Sequence, residues 1–290
     1  MKRVSIPYKI FTVFNYIVCV ALALSCVLPL VNLFAVSFSA KAVVEAGGVG
    51  LWPRGFNADA YGYIFSTAQF WNSLKVSVLK TVLGTLITLI LTICLAYPLS
   101  RKKGALRGRS VYMAVIIFCM LFSGGLVPTY LLVANTLNMK NTLWALILPG
   151  GVQIFSAVIM MNFFRQLPGE IEEAAHVDGA DHFRSLFLIV LPCSLPIIAT
   201  VVLFAFVGNW NSWFDGLIYM TQPEMYPLQT FLQQYLKEPP GFSIGLVYKE
   251  LSEDSMAAAN IFIIMVPLIA IYPFLQKYFI KGIVLGSVKG

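Results

Sequence analysis

Residues 165–196 read RQLPGEIEEAAHVDGADHFRSLFLIVLPCSLP. Pro168 and Gly169 end the direction of the chain before them, and Glu170 to Val177 can open a new helix. Its first turn carries acids, which the positive end of a helix dipole favours. Ala174 and Ala175 add no bulk, so this helix can approach another backbone closely. Gly179 breaks the run. Asp178 can cap a second helix, and Asp181, three residues on, can return a bond to the cap amide. Within that helix Phe183, Leu186, Phe187 and Val190 recur at helical spacing and predict one apolar stripe. The stretch therefore reads as a helix-turn-helix elbow, joined to the next apolar run through Leu191 and Pro192.

On both sides of the elbow the chain turns apolar. Windows free of Asp, Glu, Lys and Arg run over 10–40, 81–100, 110–139, 141–164, 185–214 and 255–276. A bilayer core about 30 Å thick takes about 20 helical residues, so each window holds one crossing. The expected spans are 11–35, 76–98, 111–133, 143–164, 193–214 and 257–276. Lipid offers a bare amide no partner and the runs are too long for barrel strands, so the crossings must be helices. Composition agrees: of 290 residues 59% are hydrophobic and 11% charged, where a soluble domain has about 25% charged. The expectation is an all-α polytopic membrane protein, one transmembrane domain over 1–290, with the loop 165–192 between spans four and five.

Charge placement orients the bundle. With a cytoplasmic N-terminus, the inner segments 1–10, 99–110, 165–192 and 277–290 carry 13 of the 20 basic residues and five acids. The outer side holds seven basic residues, among them Lys75 and Lys80 at the outer end of span two, facing eight acids. Both termini are expected in the cytoplasm. The first apolar run continues through Cys26, Leu30, Phe34 and Phe38, too far for a cleaved signal segment, and is read as retained. The basic run RKKGALRGR at 101–109 lies between two spans, so the net charge of +7 reports topology and not nucleic-acid binding. Cys19, Cys26, Cys94, Cys119 and Cys193 sit in or at the ends of spans without metal-ligand or disulfide spacing. His176 and His182 lie six apart, off one helical face, and read as surface residues.

The outer loops are unequal. Residues 40–72 carry Gly47, Gly48, Gly50 and Gly55, a flexible connection, followed by AYGYIF, an interfacial helix or an aromatic belt segment. The loop 216–255 is long enough to hold a short helix and touch a soluble partner. Polar residues inside spans are costly and so mark candidates for a path. Asn209, Trp210, Asn211, Trp213 and Asp215 interleave aromatic faces with hydrogen-bonding groups, as a path for a polar solute would need; an aromatic belt with a polar end reads almost as well. Gln153 and Asn162 can join helices. Pro149, Pro192, Pro196 and Pro267 can bend spans, and Gly124-Gly125 can break one.

The elbow resembles the cytoplasmic coupling loop of ATP-binding-cassette importer permeases. That family's signature is Glu-Ala-Ala, three residues, Gly, nine residues, Ile, one residue, Leu-Pro. Here the positions are Glu173, Ala174, Ala175, Gly179, Ile189, Leu191 and Pro192, without insertion. Asp178-Gly179-Ala180, the downstream NWNSWFDGLIYMTQPEMYPLQTFL at 209–232 and the tail QKYFIKGIVLGSVKG resemble the carbohydrate branch, the maltose-transporter G-type subunits and their oligosaccharide-importer relatives. The resemblance implies a type I importer permease fold with six transmembrane helices in a bacterial inner or plasma membrane. It implies that Glu172, Glu173, Ala174, Ala175, Asp178, Gly179, Ala180, Ile189, Leu191 and Pro192 couple the chain to an ATPase. Glu173 would meet a charged partner, the alanines would allow close packing, and Gly179 would make the bend.

The resemblance further implies a homologous second permease, two nucleotide-binding subunits and an extracytoplasmic solute-binding protein as partners, besides membrane lipid. The sequence holds no GxxxxGK[ST] phosphate loop, so ATP and Mg²⁺ are expected on the partner ATPase and neither cofactor nor metal on this chain. The function expected is a non-catalytic permease for a carbohydrate. The alternatives are a permease for another small polar solute, or a secondary transporter, which would want a two-half repeat and a deeply buried acid or base.

Overall fold

The computed structural model describes residues 6–101, 106–235 and 252–287, and their regular elements are all helical. In order these are α1 (Ile6–Ser37), α2 (Lys41–Glu45), α3 (Asp59–Ser66), α4 (Ala68–Ser100), α5 (Arg109–Leu121) and α6 (Leu126–Leu131). A π-helical turn over Leu132–Thr136 comes next, then α7 (Leu143–Ile147), α8 (Ile154–Gln166), α9 (Gly169–Val177) and α10 (His182–Ser185). A second π turn over Leu186–Val190 leads into α11 (Leu191–Cys193), α12 (Leu195–Asn211), α13 (Phe214–Tyr219), α14 (Leu228–Tyr235) and α15 (Glu253–Ser287). The basic residues Lys102 and Lys103, Gly104, and the Pro239-Pro240-Gly241 part of the last outer loop lie outside the described residues.

Three helices, Pro7–Ser37, Ala68–Ser100 and Glu253–Pro273, are long and apolar enough to cross a membrane. Two bent pairs bring the candidates to as many as five: Arg109–Leu121 with Leu126–Thr136, bent by 111°, and His182–Cys193 with Leu195–Asn211, bent by 84°. The first break falls at Gly124-Gly125, where Gly125 has φ +82°, a conformation glycine takes without a Cβ clash. The expected continuous helix over 143–164 is not formed. Its apolar run splits into α7 and α8, because Pro149 brings no amide to the ladder and two glycines follow it. Pro196 marks the start of α12 and not a bend within it, which suits a residue without an N–H.

The described chain divides into two compact units, one formed by residues up to Ala68 with 252–266, the other by Gln69–Tyr235 with the chain from Pro267. In the first, α1 is apolar all round and exposes Tyr8, Phe11, Phe14 and Ile17, as a lipid-facing helix does. The glycine-bearing loop after it is pinned, not free as its composition suggests. Asn32 Nδ2 donates to the Gly50 carbonyl at 2.7 Å and the Arg54 amide to Ser39 Oγ at 3.0 Å. AYGYIF is indeed helical, as α3. Tyr61 stacks on Phe38 with centroids 4.5 Å apart and donates to Ser37 Oγ at 2.8 Å. Burial raises the Tyr61 phenol above its ordinary pKa, and the Ser37 bond only partly offsets this.

The second unit holds two apolar cores. One gathers Ala96, Leu99, Ile116, Met160, Met161, Phe164, Leu186, Val190, Ile197 and Val201 from α4, α5, α8, the second π turn and α12. The other gathers Val133, Ala145, Leu146, Tyr219 and Met220, with Val76 of α4 packed against it. Between the two contacts the same inward face of α4 becomes small and polar: Ser77, Lys80, Thr81, Gly84, Thr88 and Thr92 are buried, while Val78, Leu79, Val82, Leu86 and Ile90 are exposed.

Candidate functional site

The elbow forms where the sequence puts it. Gly179 adopts φ +81° with open space around its α-carbon, so a side chain there would meet backbone strain and no neighbour. The Ala180 amide donates to the Ala175 carbonyl at 2.9 Å, closing the turn behind α9. Because this turn occupies residues 178–180, the second helix starts later than the expected cap at Asp178 would allow. Asp181 is the cap: its Oδ1 accepts from the Arg184 amide at 2.7 Å. Asp178 stays exposed.

The predicted stripe Phe183, Leu186, Phe187, Val190 is also corrected. Leu186 and Val190 are buried with Ser185, whereas Phe183 is 74% and Phe187 60% exposed. The cause is the π turn, whose wider repeat advances the inward face by four to five residues and turns the phenylalanines out. Leu191 packs against the apolar core that gathers Ala96, Leu99, Leu186 and Val190, Ile189 is half-buried and Pro192 exposed. Ala175 is buried within its own chain. The side chains of Glu172, Glu173, Ala174 and His176 lie outside the described residues, though the backbone that carries them is helical.

Polar bonds fasten the elbow to one end of α4. Tyr97 Oη donates to the His182 carbonyl at 3.2 Å. The Leu99 carbonyl, near the C-terminus of α4, accepts from Arg109 Nε at 3.0 Å and from Arg165 at 3.2 Å. Two guanidinium groups thus satisfy and neutralise the negative end of a helix dipole. Arg101 lies 4.3 Å over the Tyr97 ring, within cation–π range.

The stretch 209–215 is a helix end held from outside itself. Trp210 is buried and stacked on Phe206, centroids 6.3 Å apart, so it is a packing residue; Asn211 is exposed. Asn209 Nδ2 donates to the Ala205 carbonyl at 2.8 Å, and its Oδ1 faces Gly84, where a Cβ would stand only 2.5 Å away. Beyond Asn211 the chain leaves the helix. Lys80 Nζ donates to the Ser212 carbonyl at 2.9 Å, Ser212 Oγ donates to Asp215, and Thr230 Oγ1 donates to the Trp213 carbonyl at 2.6 Å. Trp213 meets Phe214 edge-on at 5.6 Å. Irregular backbone beside a span needs such partners. Asn162, expected to join helices, is exposed, and Gln153 accepts locally from Ser156 at 3.1 Å.

Lys80 is the functional candidate that sequence reasoning passed over. Counted with the outer charges, it is 1% exposed. The signal was its spacing: with Ser73, Ser77 and Gly84 it shares one helical face of small and polar residues. Among the described residues no group of His, Cys, Asp and Glu is placed to hold a metal ion, and all five cysteines are free thiols.

Comparison with known proteins gives this geometry a context. Protein LplC of Bacillus subtilis (strain 168) is 39% identical over 285 residues, 97% of this chain and 96% of that one. The polygalacturonan/rhamnogalacturonan transport system permease protein YtcP of the same organism is 39% identical over 288 residues, 97% and 99% of the two chains. A chain from the crystal structure of a bacterial ABC transporter involved in import of the acidic polysaccharide alginate superposes with a TM-score of 0.86 at 30% identity, over 96% of this chain and 100% of that one. Residues 103–285, which include the elbow and the 209–215 stretch, match the binding-protein-dependent transport system inner membrane components, and the chain belongs to that family.

Proposed function

We propose that the protein is the permease subunit of an ATP-driven importer for an oligosaccharide and forms half of the path through the membrane. The observation that carries this reading is the elbow: α9, a left-handed Gly179, and α10 capped by Asp181, bonded to the inner end of α4. It bears all seven signature positions. A short helix with acids and small residues, leading into a fixed turn, suits docking into a cleft on a nucleotide-binding subunit. Coupling then runs from Glu172, Glu173, Ala174 and Ala175 through Asp178, Gly179 and Ala180 to Ile189, Leu191 and Pro192. ATP and Mg²⁺ belong to the partner ATPase. A second permease, two ATPase copies and an extracytoplasmic binding protein complete the assembly.

The reading requires six crossings with both termini in the cytoplasm, the fourth being a broken span made of α7 and α8. The guanidinium groups of Arg101, Arg109, Arg165 and Arg184 at the elbow's end of the bundle support that sidedness. Cysteines introduced at Gly48 should label from outside in whole cells, and at His176 only after permeabilisation; outside labelling at His176 overturns the topology. Relatives that carry pectic and alginate polymers support an oligosaccharide as cargo. The test is uptake in proteoliposomes containing the full complex, against a panel of oligogalacturonides, alginate oligosaccharides, maltodextrins, amino acids and short peptides. Binding-protein-dependent uptake of a member of the first three classes is expected, and uptake restricted to amino acids or peptides would refute the carbohydrate assignment.

A further inference from the structure

The inward face of α4 carries four threonines at positions 81, 85, 88 and 92, spaced four, three and four residues apart. That spacing sets them on one side of the helix over about 16 Å. Thr81, Thr88 and Thr92 are each 1% exposed, and the hydroxyls of all four are buried with no hydrogen-bond partner among the described residues. A threonine in an apolar helix ordinarily turns its hydroxyl back onto the carbonyl four residues earlier. This chain does so elsewhere: Thr12 bonds the Tyr8 carbonyl at 2.8 Å, Thr129 that of Gly125 at 2.8 Å and Thr200 that of Pro196 at 2.9 Å. The ladder threonines do not. Buried hydroxyls without partners are rare because each loses its water and gains nothing. Four in a row on one face need a partner that this conformation lacks.

Other polar groups converge on the same seam. Asn209 Oδ1 fills the space left by Gly84, between Thr81 and Thr88. From Thr81 to Ser100 no charge interrupts α4, so this stretch offers neutral donors and acceptors, with the buried Lys80 at its start. The lipid side of the same helix is apolar, so the hydroxyls are not arranged for the bilayer.

We propose that this ladder is one wall of the cargo route, closed in the present conformation and uncovered when α4 parts from α12, where its hydroxyls replace water around the hydroxyls of a passing sugar. The inference rests on the permease reading and deepens it by assigning contacts to the hydroxyl groups of the sugar. A hydroxyl both donates and accepts, matching a sugar hydroxyl in either sense, while Lys80, buried beside Thr81 on the same face, sets a positive charge at one end of the ladder.

The experiment uses the complete complex in proteoliposomes and the panel oligosaccharide that the wild type imports fastest. Thr88→Val and Thr92→Val keep shape and remove one hydroxyl each; Thr200→Val, whose hydroxyl is bonded within its own helix, is the control. The KM for uptake should rise two- to tenfold in each ladder variant, the worth of one hydrogen bond, with complex yield unchanged and Thr200→Val like wild type. Purely structural threonines would leave KM where it was. Separately, Thr88→Cys in a background with the five native cysteines replaced is treated with a charged methanethiosulfonate reagent, without nucleotide and after trapping with ATP and vanadate. Labelling in one of the two states, slowed by the same oligosaccharide, is expected. Unchanged KM in both ladder variants overturns the proposal, as does failure to label in either state. If the wild-type complex imports no oligosaccharide, it is the permease reading that has failed and not the ladder.

Discussion

The two halves of α4 differ in how they are satisfied. From Ala96 onward the helix sits in an apolar core with Met160, Phe164, Val190 and Ile197, and its final carbonyls accept from Arg109 and Arg165. From Thr81 to Thr92 the same helix buries hydroxyls that meet no partner. The first half is finished by its own chain; the second is left incomplete. A lever must move as a body, so dense packing belongs beside the elbow, even though Ser185 and Ser194 there bury hydroxyls without a partner among the described residues. A surface that opens to a polar cargo must hold its hydrogen-bonding capacity in reserve. On the proposed reading, the contrast would separate transmission from conduction along one helix.

Damage to the finished half should be the most severe. Val190→Asp puts a carboxylate into a fully buried site, where an unpaired charge costs several kcal/mol even after relaxation. The complex should not be recovered in mild detergent, and normal recovery would show that the core is looser than its burial implies. At the other core, Gly216→Ala forces a Cβ against Thr230 and Pro227, whose Cδ would be 2.8 Å away. Overpacking of this kind costs about 1–3 kcal/mol, which should appear as a lower unfolding midpoint in detergent.

Lys80→Met should have an intermediate effect. It removes the donor to the Ser212 carbonyl and the positive charge that interacts with Asp215, a loss of about 1.5–3 kcal/mol for a charged hydrogen bond. The end of α12 should become more accessible to proteolysis, and Lys80→Arg should restore part of the protection. Asp181→Ala is the mildest. Loss of one helix cap costs about 1 kcal/mol, and faster amide exchange confined to residues 182–186 would report it.

The finished half was largely legible in the sequence. Pro168-Gly169, Gly179 and the acids mark local chemistry, and the Glu-Ala-Ala to Leu-Pro spacing is specific enough to name a loop. Only the cap and the stripe were misplaced, since Asp178 and Asp181 are equally good caps on paper and a π turn leaves no trace in a 3.6-residue pattern. The incomplete half was hidden. Threonines inside an apolar run lower its hydropathy too little to signal a seam, and back-bonded threonines look the same in sequence. Lys80 was hidden for a related reason: at the edge of an apolar window it reads as a charge in water, until the chain from Ser212 to Thr230 folds over it. The break between α7 and α8 falls at Pro149-Gly150-Gly151, where the sequence marked only Pro149 as a bend, and its extent, from Leu148 to Gln153, depends on packing that a window of hydropathy does not contain.

The central claim is that the elbow transmits ATPase closure to the membrane helices, and binding-protein-stimulated ATPase activity measured beside oligosaccharide uptake in the full complex tests it most directly. Gly179→Pro fixes φ near −65° where the turn needs a positive value, and Glu173→Lys reverses the charge offered to the ATPase. With the permease still inserted, both variants should lose uptake and the stimulation of ATPase by binding protein, while His182→Ala, which alters only a side chain and keeps the carbonyl that Tyr97 bonds, should retain them. Normal ATPase recruitment, normal stimulation and normal uptake in both Gly179→Pro and Glu173→Lys would contradict the account.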